Sequence, residues 1–334
     1  MSKNLFTAAL VALGLASPAM AADYYAGKTI EIVVPASAGG SYGVYGLLLS
    51  DHLGRHIPGD PTVVPNYMGG AVGMKASNYV ANVAKSDGTT LFVMHQNTPS
   101  SQLLNPKGAK YDAAQFHSIG ILSTMNSVMA IRTDSGVEKI EDVATTKINI
   151  GATGRGSYQF VVPSLLNEYA GSQFNIIPTY PGSADVMLAV ERNEISALMT
   201  SIDTVAKNHP EWLEGNGARL VLQVGNIPDA SIANVPTLGS LATNDESRQA
   251  FNFMSAANDI ARALVMPADT PAEAVDIMRK AFTDLMNDPE FQKAAKDTNT
   301  SLNWADHETL TASINSILET PAPLVEKIRK MTAD

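Results

Sequence analysis

Apolar runs that end in glycine-rich turns, each followed by a helical pattern, recur along the chain. The first unit predicts a strand over residues 28–34 and, after a glycine turn, a helix over 44–53. The second predicts a strand over 147–150, a glycine turn over 151–158 and a further helix. Strands that alternate with helices are typical of an α/β fold with a mostly parallel sheet.

The same patterning predicts several more strands and a helical last third. Short β-branched or apolar runs bounded by turn residues predict strands at 62–64, 90–94, 127–131, 175–178, 195–199 and 220–224. Beyond residue 237 the pattern becomes helical, with a cap, a proline and a glutamate at Thr270, Pro271 and Glu273 that mark one helix start.

The two glycine turns are candidate anion sites. Glycine lets a ligand approach the backbone closely, and the first N–H groups of the following helix carry a partial positive charge. In open α/β sheets, ligands bind beyond the carboxyl ends of the strands, where both turns lie. Together the turns predict two facing halves of a binding cleft.

Composition narrows the class of partner. The chain has 334 residues, of which 45% are hydrophobic and 17% charged, and its formal charge is −10. An acidic chain without a basic run argues against nucleic acid as a partner. Cysteine is absent, which excludes disulfides, thiol nucleophiles and cysteine-ligated zinc.

The first 21 residues fit a signal peptide. Lys3 precedes an apolar run over residues 5–16, and Ala19-Met20-Ala21 fits the small-residue cleavage pattern. The run is shorter than the roughly 20 residues that a transmembrane helix needs. We therefore expect cleavage near Ala21, export to the periplasm and no stable insertion into the membrane.

The sequence matches catalytic, metal-binding and nucleotide-binding motifs only weakly. Gly39, Ser41 and Gly43 match the spacing of the nucleophile elbow of serine hydrolases, although the elbow requires its glycine directly at the strand end. His52 and His56 have the spacing of two zinc ligands, but no glutamate lies between them. The second glycine turn has no Gly-Lys-Ser/Thr, so no cofactor is expected.

Two kinds of side chain in the turns leave alternatives open. Arg155 is a single cation inside the second turn, where it either pairs with an anionic ligand or is a solvated loop residue. Tyr42, Tyr158 and Tyr180 either line a ligand cleft or pack in the core.

An ordered set of short motifs covers essentially the whole chain after residue 21. The motifs are Val33-Val34-Pro35 with Gly39-Gly40, Asn66 with Gly69-Gly70-Ala71, Asp87-Gly88-Thr89, Ile148-Asn149-Ile150-Gly151 with Gly154 and Gly156-Ser157, Tyr180-Pro181-Gly182, Val235-Pro236-Thr237, Thr270-Pro271 and Asp288-Pro289. This set resembles the Bug receptors, the periplasmic solute-binding components of tripartite tricarboxylate transporters.

The resemblance implies an α/β, two-lobed periplasmic-binding-protein fold with two crossover strands, near 127–131 and 220–225. Lobe I would comprise residues 22–126 and 226–334, and lobe II residues 127–225. It also implies a monomeric receptor, without enzymatic activity, that captures a small carboxylate and delivers it to inner-membrane permease subunits.

The ligand-binding positions that the resemblance implies lie on facing loops. They are Ala38, Gly39, Gly40, Ser41, Tyr42, Asn97, Thr98, Thr153, Gly154, Arg155, Gly156, Ser157, Tyr180, Pro181 and Gly182, to which we add Ser201 and Asp203.

The first loop departs from the family pattern at two positions. The usual proline is Ala38, and a common aspartate that can serve a ligand's amino or hydroxyl group falls at Gly43. Without that aspartate, and with tyrosines nearby, an aromatic or bulkier carboxylate is the hypothesis for the ligand. A secreted serine hydrolase using Ser41, or a two-lobed ligand sensor, is the alternative to a transport receptor.

Overall fold

The computed structural model describes residues 24–39, 41–226 and 228–332. The signal peptide predicted over residues 1–21, with its cleavage site near Ala21, lies outside the described residues. Gly40, one of the predicted ligand positions, lies outside them as well.

Two five-stranded sheets organise the described part of the chain. Their strands are β1 (Thr29–Val34), β2 (Thr62–Tyr67), β3 (Thr90–His95), β4 (His117–Ile121), β5 (Ser127–Arg132), β6 (Ile148–Gly151), β7 (Phe174–Ile177), β8 (Ala197–Ser201), β9 (Ala218–Val224) and β10 (Arg262–Met266). The first sheet has the order β2-β1-β3-β10-β4, and the second has the order β7-β6-β8-β5-β9.

Helices follow most of the strands. In chain order they are α1 (Ser41–His52), α2 (Met74–Asn82), α3 (Thr98–Leu104), α4 (Tyr158–Tyr169), α5 (Ser183–Glu191), α6 (Ile202–Asn208), α7 (Asp245–Asp259), α8 (Ala272–Met286), α9 (Pro289–Asp297), α10 (His307–Leu318) and α11 (Ala322–Thr332). The predicted alternation of strands and helices in the first two thirds of the chain is therefore present.

The sheets are mixed rather than mostly parallel. β1, β2 and β3 are parallel, as are β6, β7 and β8, but β5 runs antiparallel to both β8 and β9. β10 lies antiparallel between β3 and β4. β10 is buried on both faces, and its residues after Arg262 are all apolar. A short apolar run without alternating polar residues cannot be distinguished from a helical segment by its pattern, so the sequence does not predict this strand.

The chain crosses between the sheets twice, and the end of α7 holds both crossings. After β4 it enters the second sheet at β5, and after β9 it returns. The Asn258 carbonyl accepts a hydrogen bond from the Met125 N–H in the first crossing at 3.0 Å, and Asn258 Nδ2 donates to the Val224 carbonyl in the second at 2.7 Å. The Asp259 carboxylate accepts the Asn226 N–H at 2.9 Å and Nδ2 at 2.7 Å.

Helix α4 joins the cores of the two sheets. One cluster of buried apolar residues includes Phe92 of β3, Phe251 of α7, Leu165 of α4 and Met129 of β5. Tyr169 at the end of α4 meets the Phe251 ring edge-on, with 6.1 Å between ring centroids. Because the cluster is continuous, the second sheet packs against helices that cover the first sheet. The two sheets are therefore joined by apolar contacts as well as by the two crossings of the chain.

An ionic cluster closes the same junction at its surface. Lys327 of α11 lies 2.8 Å from the Glu168 carboxylate of α4 and 3.1 Å from the Glu246 carboxylate of α7. The Tyr169 hydroxyl donates to Glu246 at 2.7 Å. These groups are partly exposed, so they fix the geometry of the three helices more than they add stability.

The departure at Gly43 has a steric cause in this structure. A Cβ at this position in the first turn of α1 would lie 2.2 Å from the Ala38 carbonyl oxygen and 2.4 Å from that of Ser37. Both are backbone atoms, which a rotamer change cannot move. The first loop therefore packs on α1 so closely that only glycine fits, and an aspartate has no room.

We predict that Gly43→Ala destabilises the protein by about 1–3 kcal/mol, because the loop must move to admit the methyl group. Replacing glycine by alanine inside a helix normally stabilises the protein, so a loss of stability here would indicate the steric clash. Urea unfolding measures it, with Gly39→Ala as the control, since no atom lies within 4 Å of a Cβ there. A Gly43→Ala variant as stable as wild type would contradict this packing.

Candidate functional site

Three helices begin at one cleft between the sheets. α1 follows β1, α3 follows β3 and α4 follows β6, so their first N–H groups lie at the carboxyl ends of parallel strands. Between α3 and α4 lies a cavity of about 110 Å³ that α7 closes from the side. The cleft thus combines helix starts from both sheets with a partly open cavity.

Apolar side chains and uncharged polar groups line this cavity. The apolar lining residues are Val72, Leu104, Tyr158, Val161, Val162, Val224, Phe253, Met254 and Ala257. The polar ones are Gln96, Asn97, Ser100, Ser101 and Asn258, and Gly156 completes the wall. Every side chain in this lining is uncharged.

The positive charge of the cleft lies beside the cavity, at the edge of the first sheet. Arg262 opens β10 opposite His95 in β3, and its guanidinium carbon is 4.1 Å from the centroid of the Tyr42 ring. His95 stacks on Tyr42 with centroids 5.0 Å apart and an interplanar angle of 16°. Tyr42 is therefore in contact with a cation and with an imidazole, and all three groups are largely buried.

His95 is held in its neutral form. Burial, and then the nearby charge of Arg262, lower the pKa of His95 to about 4. The Asn97 N–H lies 3.2 Å from His95 Nδ1, where it donates a hydrogen bond. Because Nδ1 accepts, the proton of the neutral ring is on Nε2, and Arg262 carries the charge of this pair.

Gln96 connects the charged edge to the cavity. Its backbone N–H donates to the Tyr42 hydroxyl at 3.0 Å, and its side-chain Nε2 donates to Asn258 Oδ1 at 3.2 Å. Gln96 therefore links α1 to the residue that holds both crossings of the chain.

Gln159 has the corresponding position in the second sheet. It is almost fully buried in α4, and its Oε1 accepts the Thr153 N–H at 3.2 Å and the Thr153 hydroxyl at 2.9 Å. Its Nε2 donates to the Ser183 hydroxyl at 3.3 Å and to the Met199 carbonyl at 3.1 Å. One amide thus joins the loop after β6, the start of α5 and strand β8.

A left-handed turn forms the cleft wall before α2. Gly70, Ala71, Val72 and Gly73 all have positive φ, of 133°, 46°, 53° and 83°. A Cβ at Gly73 would lie 2.3 Å from the Cβ of His95, so this turn packs directly on the imidazole. Left-handed Ala71 and Val72 cost about 1–3 kcal/mol each, and this strain places Val72, 59% exposed, at the cavity wall.

Some of the predicted site residues meet at the cleft. Asn97 and Gly156 line the cavity from opposite sides, and Tyr42 lies beneath Arg262. Ala38 and Gly39 form an exposed turn before α1, whose first residue is Ser41. Tyr158 is the predicted cleft tyrosine that reaches the cavity.

Other predicted residues have partners elsewhere. The buried hydroxyl of Thr98, in α3, is hydrogen-bonded to the hydroxyl of Ser77, in α2, at 3.0 Å. Arg155 is exposed, with its guanidinium 5.4 Å from the Phe160 ring centroid. The Ser157 hydroxyl donates to the carbonyl of Gly154, 2.7 Å away.

The last predicted group lies around α5 and α6. Tyr180, Pro181 and Gly182 form the turn before α5, with the Tyr180 N–H bonded to the Ala152 carbonyl at 3.3 Å. Ser201 caps α6 by accepting the Thr204 N–H at 3.2 Å.

Asp203 reaches across the cleft. Its carboxylate accepts a hydrogen bond at 3.3 Å from the hydroxyl of Ser301, in the segment after α9. The Ser301 carbonyl in turn accepts the Tyr45 hydroxyl of α1 at 2.6 Å. In this structure Asp203 is thus a contact between the two sides of the cleft.

The described residues contain neither a membrane-spanning helix nor a cluster of metal ligands. None of the helices there combines the length and apolar character needed to cross a bilayer. Within the same residues, no group of three or more His, Cys, Asp or Glu side chains is placed to hold a metal ion.

Comparison with known proteins identifies the family. The model of the tripartite tricarboxylate transporter family receptor matches residues 49–329. The chain belongs to this family. The resemblance seen in the ordered motifs is thereby confirmed.

Three solved structures share the fold. A TctC solute-binding protein from Polaromonas is 20% identical, with a TM-score of 0.73 over 91% of this chain and 99% of that one. MatC from Rhodopseudomonas palustris with bound malate is 18% identical, with a TM-score of 0.58 over 92% and 99% of the two chains. Another R. palustris protein, with adipate, is 15% identical, with a TM-score of 0.62 over 92% and 97%. The predicted two-lobed α/β fold with two crossings is confirmed.

The residues that organise the cleft were mostly missed. Arg262, Gln159, Gln96 and Asn258 were not among the predicted site residues. Arg262 and Gln159 nevertheless left a signal, since each is a single polar side chain inside an apolar run, Ala261–Met266 or Tyr158–Pro163. A buried polar group needs partners, so such a residue is a candidate for a structural or ligand role.

We predict that Gln159→Leu destabilises the protein by about 1–3 kcal/mol, because Thr153 and Met199 lose a buried partner. Ligand affinity should fall too, since the loop at 152–157 loses its anchor. Urea unfolding and calorimetric titration measure the two effects. The control is Gln249→Leu, an exposed position on α7. If both variants unfold alike, Gln159 does not hold these loops.

We also predict that His95 makes stability depend on acid pH. Its native pKa of about 4 lies below the unfolded value near 6.5. Between these values the unfolded chain binds a proton that the native protein does not, so the contribution of His95 is full above pH 6.5 and is lost as pH falls toward 4. Wild type should lose more stability over this window than His95→Gln, while the two curves run parallel above pH 7. If the curves of unfolding free energy against pH for wild type and His95→Gln run parallel below pH 6.5 as well, the prediction is wrong.

Proposed function

We propose that the protein is a periplasmic receptor that captures a small carboxylate between its two lobes and hands it to a permease. The observation that carries the proposal is the cavity between the sheets at the starts of α3 and α4, with the Arg262–Tyr42 pair beside it, in a chain of a receptor family. Malate and adipate, bound by two structural neighbours, are both carboxylates.

The carboxylate group lies at the charged edge of the cleft in this proposal. Arg262 supplies a permanent positive charge, and guanidinium groups pair with carboxylates through two parallel hydrogen bonds. His95 stays neutral, so it competes little for the ligand's charge and can donate from Nε2. The N–H groups at the starts of α1 and α4 add partial positive charge from both sides.

The two lobes are proposed as residues 22–126 with 226–334, and residues 127–225. The strand memberships support this division, because the first sheet takes its strands from the former ranges and the second sheet takes its strands from the latter. Contacts to ligand from both lobes would stabilise the closed arrangement. The loops predicted at Ala38–Tyr42, Asn97–Thr98, Thr153–Ser157 and Tyr180–Gly182, with Ser201 and Asp203, are the proposed moving contacts.

The cellular setting follows from the receptor role. The signal-peptide pattern over residues 1–21 supports export, and the family supports delivery to inner-membrane permease subunits. We propose that the receptor acts as a monomer and performs no chemistry on its ligand. Its ligand would be an aromatic or otherwise bulky carboxylate, in keeping with Tyr158 in the cavity wall.

We predict that Arg262→Gln lowers carboxylate affinity at least tenfold, because the ligand loses a charged partner in a poorly solvated site. Calorimetric titration measures the affinity, and a melting curve verifies that the variant is folded. Arg155→Gln is the matched comparison, since Arg155 is exposed and rests on Phe160. We expect a smaller loss there. A loss confined to Arg155→Gln would assign the carboxylate to the second glycine turn instead.

A further inference from the structure

We propose that the ligand is a monocarboxylate whose uncharged apolar body fills the cavity between α3, α4 and α7, so that the receptor rejects dicarboxylates. This inference rests on the proposed function, because it takes the carboxylate to lie at the Arg262 edge. It goes further by assigning the rest of the molecule: a chain or ring of no more than about six carbon atoms.

The cavity wall is the first observation. Val161 and Val162 of α4 face Phe253, Met254 and Ala257 of α7 across the space. Val162, Phe253 and Ala257 are buried, so this surface belongs to the interior of the protein. An apolar group placed here leaves water and meets carbon atoms on both sides, which favours binding.

The absence of charge in the lining is the second observation. The free energy of moving a carboxylate out of water is strongly unfavourable unless a cation or several hydrogen bonds compensate for the lost hydration. None of the lining residues is charged. A ligand with a second carboxylate at the far end of its chain would therefore bury that charge without a counterion.

The polar groups of the lining are the third observation, because several already serve protein partners. Gln96 Nε2 donates to Asn258 Oδ1 at 3.2 Å, and Asn258 Nδ2 donates to the Val224 carbonyl at 2.7 Å. The Ser100 hydroxyl donates to the Asn97 carbonyl at 3.2 Å. A second carboxylate would have to break these hydrogen bonds to gain donors, and breaking those of Asn258 would loosen the crossings.

The volume and its position set the size of the ligand. The cavity holds about 110 Å³, and apolar cavities of about 150 Å³ in other proteins admit benzene. Gln96 lines the cavity and its backbone N–H bonds the Tyr42 hydroxyl, beneath Arg262. The charged edge and the apolar space are therefore adjacent, and one short molecule spans both.

Hexanoate and adipate form the deciding pair, because they share a six-carbon chain and differ in one terminal carboxylate. Calorimetric titration at pH 7 should show hexanoate binding at least tenfold more tightly than adipate. Across acetate, propanoate, butanoate and hexanoate, affinity should rise about fourfold per added methylene until the cavity is full. Benzoate and phenylacetate test a ring in the same space.

Two variants on α7 test the location. Ala257→Leu fills the cavity and should abolish the gain in affinity along the series. Met254→Lys, at a half-buried position, adds a cation to the wall and should raise adipate affinity relative to hexanoate at least tenfold. Asn252→Leu, on the exposed face of α7, is the control and should change neither ratio.

The outcomes separate this inference from the proposed function. If adipate or malate binds wild type more tightly than hexanoate, or if Ala257→Leu keeps the chain-length series intact, the inference is wrong while the carboxylate receptor stands. If no carboxylate of either kind binds, the proposed function itself fails. Should Ala257→Leu not fold, the Met254→Lys ratio decides: an unchanged ratio overturns the proposal.

Discussion

The arrangement of the whole molecule depends on the hydrogen bonds of Asn258. Its backbone carbonyl and its side-chain amide hold the two crossings between the sheets, and its Oδ1 receives Gln96 from the cleft. A neutral amide suits this buried place, because it offers a donor and an acceptor without the desolvation penalty of a charge. Gln159 does the same for the loops of the second sheet. Buried amides, rather than ion pairs, fix both sides of the cleft.

Much of the fold was predictable, because local sequence signals match local structure where strands and helices alternate. The parallel strands β1, β2, β3, β6, β7 and β8 all fall in or beside the predicted apolar runs. β4 and β10 were missed. β10 reaches its place between β3 and β4 only through pairing with residues more than 130 positions away, which no local pattern encodes.

The site was less predictable than the fold. The two glycine turns precede α1 and α4, which begin at the cleft, and glycine is required where the first turn packs on its helix, at Gly43. They did not reveal which side chains face the cavity. Thr98 and Asn97 are neighbours, yet one hydroxyl is buried against Ser77 while the other residue lines the cavity. Such orientations depend on tertiary packing, and so does the position of Arg262 beside the cavity.

The continuous core through α4 has a consequence for how the chain folds. Two-lobed proteins are often regarded as two domains that can be separated, each with its own interior. Here Leu165 of α4 and Phe251 of α7 belong to one apolar cluster, which also includes Phe92 of the first sheet and Met129 of the second. Expressed alone, either lobe would expose that surface to water and be prone to aggregate. The intact chain should instead melt as a single cooperative unit, with one calorimetric transition.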